Sequence, residues 1–137
     1  MDYKIPAQTR IGHDHLKVAD LERSLKFYRD ILGFEVMRDS GSGDDSSWVW
    51  IRLNGIDLML NDQYEPGHIP DSELAERREW HHDTCLYFGS PDVDGMYDYL
   101  RSRNLAVEPP SVAPYGMKQL YLHDPDGYNI CFQWRVK

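Results

Sequence analysis

Two histidines one residue apart, His13 and His15, open the chemically suggestive part of the chain in the run Ile11-Gly-His-Asp-His-Leu-Lys-Val18. If that run is a strand, alternation points both imidazoles to one face. There they could ligate a metal, donate hydrogen bonds or move protons, because imidazole titrates near neutral pH. His81, His82, Asp83 and His123 lie near the ends of other strand-like runs. Trp48 and Trp50 share one strand parity and offer flat rings on which a planar molecule can stack. The two cysteines, Cys85 and Cys131, lack the C-x-x-C spacing of a zinc ribbon and read as reduced thiols.

These residues must be positioned by regular elements, and the pattern of elements repeats. The run Asp20-Leu-Glu-Arg-Ser-Leu-Lys-Phe-Tyr-Arg-Asp-Ile-Leu-Gly33 predicts a helix with Asp20 as N-cap. Its apolar face is Leu21, Leu25, Tyr28 and Leu32, and Gly33 is its left-handed stop. A second helix repeats the layout with Asp92 as cap, Val93, Met96, Tyr97 and Leu100 inward, and Asn104 as the stop. Each helix follows a strand-like run and precedes a hairpin. Asn54-Gly55 is the signature of a type I′ turn between Trp48–Leu53 and Ile56–Asn61, and Asp124-Pro-Asp-Gly127 joins the second pair. Asp92 and Gly127 repeat Asp20 and Gly55 at one offset, so the chain reads as two copies of a βαβββ unit. The expected organisation is a single domain, residues 1–137. Its first module is 9–62, a linker with a short helix at about Asp71–Trp80 fills 63–80, and its second module is 81–135.

The Asn54-Gly55 turn fixes a register that pairs Leu53 with Ile56, Arg52 with Asp57, Trp50 with Met59 and Val49 with Leu60. One face of that hairpin is wholly aliphatic and suits a helix. The other carries Trp48, Trp50, Arg52, Asp57, Met59 and Asn61. In the second half Leu120, Leu122, Ile130 and Phe132 separate in the same way from Gln119, Tyr121, Asn129, Cys131 and Gln133. A face of rings, amides and charges suits the wall of a small-molecule site or a subunit contact better than a dry core.

A chain of 137 residues buries a core without disulfides. Its formal charge of −8 argues against nucleic acid as a partner, because phosphate binding draws on lysine and arginine clusters. No apolar stretch approaches a membrane span and no leader is evident, which predicts a cytoplasmic protein.

The motifs His13-x-x-Leu16-x-Val18-x-Asp20-Leu21, Ser24-Leu-Lys-Phe-Tyr28, Ile31-Leu-Gly-Phe34, Tyr115-Gly116 and Asp124-Pro-Asp-Gly127 resemble the vicinal oxygen chelate superfamily. That superfamily holds glyoxalase I, bleomycin-resistance proteins, extradiol dioxygenases and methylmalonyl-CoA epimerase. The resemblance implies an α+β fold of two βαβββ modules forming an open, barrel-like cup, together with a homodimer. It also implies four metal-ligand positions, which fall on His13, Met59, Cys85 and Cys131. Only His13 matches the usual His, Gln or Glu, and thioether plus thiols suit a soft ion such as Cu(I) or plain apolar lining.

The expected function is therefore binding of a small planar or aromatic molecule, a planar cation included, in a cup lined by both modules and without the usual metal. Contacts are expected from His13, His15, Trp48, Trp50, Arg52, Asp57, Met59, Cys85, Tyr87, Gln119, Tyr121, Asn129 and Cys131. The alternative is a metal-dependent lyase, isomerase or dioxygenase. It would take its divalent ion at a displaced site among the histidines and Asp83, whereas a separate, metal-free enzyme would use His13 or His15 as base.

Overall fold

A computed structural model describes residues 2–41, 47–62 and 79–137. Linker residues 63–78, with most of the helix expected at Asp71–Trp80, lie outside them.

Strands β1 (Asp14–Lys17), β2 (Glu35–Asp39), β3 (Trp48–Leu53) and β4 (Ile56–Asn61) form one sheet in the order β1-β4-β3-β2. Strands β5 (Cys85–Gly89), β6 (Ser111–Val112), β7 (Met117–His123) and β8 (Asn129–Arg135) form a second in the order β5-β8-β7-β6. In each sheet the first strand runs parallel to the last and the hairpins are antiparallel, so the βαβββ repeat is real in space. It is imperfect at one place, since β6 pairs over two residues where β2 has a full strand with a bulge.

The hairpin register follows from the turn. Asn54 and Gly55 both hold positive φ, 49° and 82°, and Leu53↔Ile56, Arg52↔Asp57 and Trp50↔Met59 pair as the two-residue loop requires. Val49, Ile51, Leu58 and Leu60 are fully buried beneath the first helix, and Leu120 and Ile130 beneath the second. Each such side chain contributes about 1.5–3 kcal/mol of burial.

The first helix departs from the expected regular α-helix. Helix α1 covers only Leu21–Leu25, capped by Asp20 accepting from the Arg23 amide, and Lys26–Ile31 continue it with π-helical turns. The Leu32 amide reaches back to the Phe27 carbonyl, five residues earlier, at 3.0 Å. In this widened turn the adjacent Phe27 and Tyr28 are both buried. Helix α2 (Val93–Ser102) is regular, with Asp92 accepting from the Gly95 amide and Asn104 at φ 64° as its stop.

The modules are held together by buried polar groups of the β7–β8 turn as well as by rings. Asp126 accepts from the Ala19 amide at 2.8 Å, and from Arg23 and Ser24 at 3.3 Å each. Asp124 accepts the Tyr28 hydroxyl at 2.7 Å, and Tyr128 donates to the Lys17 carbonyl at 2.8 Å. Phe34 meets Phe88 edge-on across the same junction. The Asp-Pro-Asp-Gly run is therefore a clasp between modules as well as a tight turn.

Candidate functional site

On the first sheet the face away from α1 is built by β1, β4 and β3 side by side. Pairing of His15 with Met59, and of Met59 with Trp50, sets these side chains in one row. The neighbouring row holds His13, Asp57 and Arg52. His13 and His15 are exposed, with ring centres 5.8 Å apart. Trp48, Trp50, Arg52, Asp57 and Met59 are all half-buried.

Asp57 organises this face. One of its oxygens accepts from Trp50 Nε1 at 2.8 Å and from Arg52 Nε at 2.7 Å. The guanidinium lies 5.1 Å from the Trp50 ring centre. The hydrogen bond from Arg52, then that from Trp50, holds the Asp57 carboxyl below its ordinary range. Between these groups is a hollow of about 230 Å³ lined by Gly12, His13, Trp50, Asp57 and Met59.

On the second sheet Cys85, Tyr87, Gln119, Tyr121, Cys131 and Gln133 share the face away from α2. A hydrogen-bonded chain crosses it. The Tyr87 and Tyr121 hydroxyls meet at 3.4 Å, and Tyr121 donates to Gln119 Oε1 at 3.3 Å. Gln119 Nε2 in turn donates to Tyr115 at 2.8 Å and to Gln133 at 2.9 Å. Its hydrogen bond to Tyr87, then burial, pushes the Tyr121 hydroxyl well above the usual phenol range. Tyr87 and Tyr121 are nonetheless 54% and 46% exposed, so this chain of groups is open to a ligand. Tyr121, Gln119, Asn129 and His123 also border a larger hollow, about 1000 Å³, whose floor includes Phe27 and Leu122.

The expected residues thus gather on two faces with two hollows. The hydrogen bonds of Trp50, Arg52 and Asp57, and those of Tyr87, Gln119 and Tyr121, stay within their own sheets. Asn129 turns its amide to the carbonyls of His81, His82 and Thr84 at 2.9–3.3 Å, pinning the approach to β5. Residues 81–83 form turns, so the strand parity of β5 does not extend to His81 and Asp83. His81 stacks instead on Tyr128, ring centres 3.8 Å apart, because Asn129 holds the segment off the strand. Tyr115 and Gln133 join the network although neither stood among the expected contacts. Strand parity flagged Gln133, whereas the turn residue Tyr115 had no such signal.

A metal at the family's positions would draw on His13, Met59, Cys85 and Cys131. His13 and Met59 share the smaller hollow, while Cys85 and Cys131 lie on the other sheet. Burial pushes both thiols up, against the weaker pull of hydrogen bonds from Tyr87 and Tyr121. Among the described residues no three His, Cys, Asp or Glu side chains converge. A thioether, two cysteine sulfurs and one imidazole form a soft donor set that does not fit a hard divalent cation.

The sequence model of the Glyoxalase/Bleomycin resistance protein/Dioxygenase superfamily matches residues 10–132. Metallothiol transferase FosB of Staphylococcus haemolyticus is 27% identical over 121 residues, 88% of this chain and 79% of that protein. YaeR of Escherichia coli is 32% identical over 122 residues, 86% and 90% of the two chains. The crystal structure of TnmS3, an antibiotic binding protein from Streptomyces sp. CB03234, superposes with a TM-score of 0.72 at 22% identity, covering 96% of this chain and 100% of that one. That likeness carries the fold.

Proposed function

The chain belongs to the Glyoxalase/Bleomycin resistance protein/Dioxygenase superfamily, and we propose that it binds a small planar or aromatic molecule on its concave faces without a metal ion. The observation that carries this reading is the set Met59, Cys85 and Cys131 at three of the four ligand positions, with the two cysteines on the other sheet from His13 and Met59. Soft, adaptable side chains there line a cavity for a ligand more readily than they hold an ion. Trp50 supports the reading by presenting an indole fixed at its nitrogen to the smaller hollow.

The protein acts in the cytoplasm as a homodimer, in which a second copy packs beside the two open faces and leaves their hollows accessible to the ligand. Tyr87 and Tyr121, half exposed on an otherwise ordered face, support that arrangement. No helix among the described residues is long and apolar enough to cross a membrane.

Calorimetric titration with a panel of planar aromatic compounds, with and without chelator, tests the proposal. Affinity should survive the chelator. Trp50→Ala should weaken it several-fold, since ring stacking is worth about 0.5–1.5 kcal/mol beyond burial. Loss of binding on chelation would refute the metal-independent reading.

The second reading, a metal-dependent enzyme, is favoured by the similarity to a metallothiol transferase. Elemental analysis of protein purified without a metal-binding tag decides between them. An equimolar metal that disappears in His13→Ala would establish the enzyme reading.

A further inference from the structure

We propose that the hollow beside Trp50 selects planar rings bearing a negative charge, such as aromatic carboxylates, and disfavours cationic ones; this rests on the ligand-binding reading above and fixes the charge of its ligand. The acidic balance of the whole chain suggests a cation, but the local groups argue the opposite.

Two features of this hollow would ordinarily recruit a cation, the Asp57 carboxylate and the face of the Trp50 indole. Arg52 already occupies both. Its Nε donates to Asp57 at 2.7 Å, its Nη2 approaches the second carboxylate oxygen at 3.5 Å, and its guanidinium lies 5.1 Å from the Trp50 ring centre. Trp50 Nε1 takes a further share of the same carboxylate. An incoming ammonium would have to displace an arginine from its carboxylate and its ring together.

An anion meets the reverse situation. Side-on engagement of Asp57 through Nε and Nη2 leaves Nη1 without a partner among the described residues, on a side chain 40% exposed that touches two residues lining the hollow, Asp57 and Trp50, without lining it itself. A guanidinium held in place by one carboxylate is a preformed fork for a second. His13, which lines the hollow next to Asp57, adds an imidazole able to donate from a ring nitrogen. With Arg52 drawing on the Trp50 π-system, the indole favours an electron-rich partner ring. The formal charge of −8 slows the approach of an anion, but screening confines that field while the contacts act at close range.

The test is calorimetric titration of the full chain with 2-naphthoate, 2-naphthamide and 2-naphthylmethylammonium, which share a ring and differ in charge. Naphthoate should bind about tenfold more tightly than the amide, with the ammonium weakest, as expected for one charge-assisted hydrogen bond. In Arg52→Gln the order should invert. Naphthoate falls to the level of the amide and the ammonium gains, because the indole face and Asp57 are released, a pattern that general damage to the fold does not produce. Tightest binding of the ammonium to the wild-type chain, or an order unchanged in Arg52→Gln, overturns the inference. Equal binding of all three overturns it while leaving the ligand-binding reading intact, and binding of none overturns both.

Discussion

Asp124 shows how much one carboxylate can carry. It is buried and accepts the Tyr28 hydroxyl at 2.7 Å and the amides of Asp126 and Tyr128 at 2.9 Å each. Burial dominates those donors, and with the nearby Asp126 charge it pushes the carboxyl up to about 6. A group whose folded pKa lies above its unfolded value of about 3.9 binds its proton more tightly when folded. Its stabilising contribution is therefore complete below about pH 4 and lost as pH rises through about 6, an effect on the order of 3 kcal/mol. Asp124→Asn removes the titration. Its melting temperature relative to wild type should rise between pH 4.5 and 7.5, and a difference that stays constant across that range would contradict this account. At this scale the sequence placed Trp50, Arg52 and Asp57 on one face through a turn-fixed register, and the hydrogen bonds among them followed. It did not reveal that Asp124 meets Tyr28, because nothing local relates residues that far apart in the chain.

Among the elements, the β3–β4 hairpin is the most local. Asn and Gly accept positive φ at low cost, so Asn54-Gly55 specifies the turn, the turn specifies the pairing, and the pairing sends Trp50 and Met59 to one face. Gly55→Val places a β-branched residue at φ 82° and should cost about 1–3 kcal/mol. A urea denaturation midpoint equal to that of wild type would contradict this. The π-helical turns over Lys26–Ile31 are the opposite case. The apolar spacing in that segment satisfies an ordinary α-helix. The wider turn accompanies burial of Phe27 and Tyr28 and the hydrogen bond of the Tyr28 hydroxyl to a carboxylate on the other module.

For the whole molecule the decisive feature is that each sheet packs one face on a helix and leaves the other open. The clasp of Asp124, Asp126, Tyr28 and Tyr128 fixes how the modules meet within a chain. The open faces carry half-exposed aromatics and two separate hollows. The homodimer proposed above sets a second copy beside these faces. Light scattering at micromolar concentration should give the mass of two chains. The mass of one would remove the dimer from the proposed function.

By itself the sequence determined the two βαβββ units, their caps and stops, the hairpin register, and which residues of each sheet share a face, because each of these follows from period, turn chemistry or capping within a few residues. The resemblance carried by its motifs added the family. Only the tertiary structure decided that the polar aromatic residues divide between two hollows. It also decided that Asn129 pins a turn at His81–Thr84, that Arg52 already occupies both Asp57 and the Trp50 ring, and that the second turn doubles as a clasp. Those outcomes depend on which side chains reach across between elements. Such distances are set by the packing of the helices and sheets together, which no local pattern encodes.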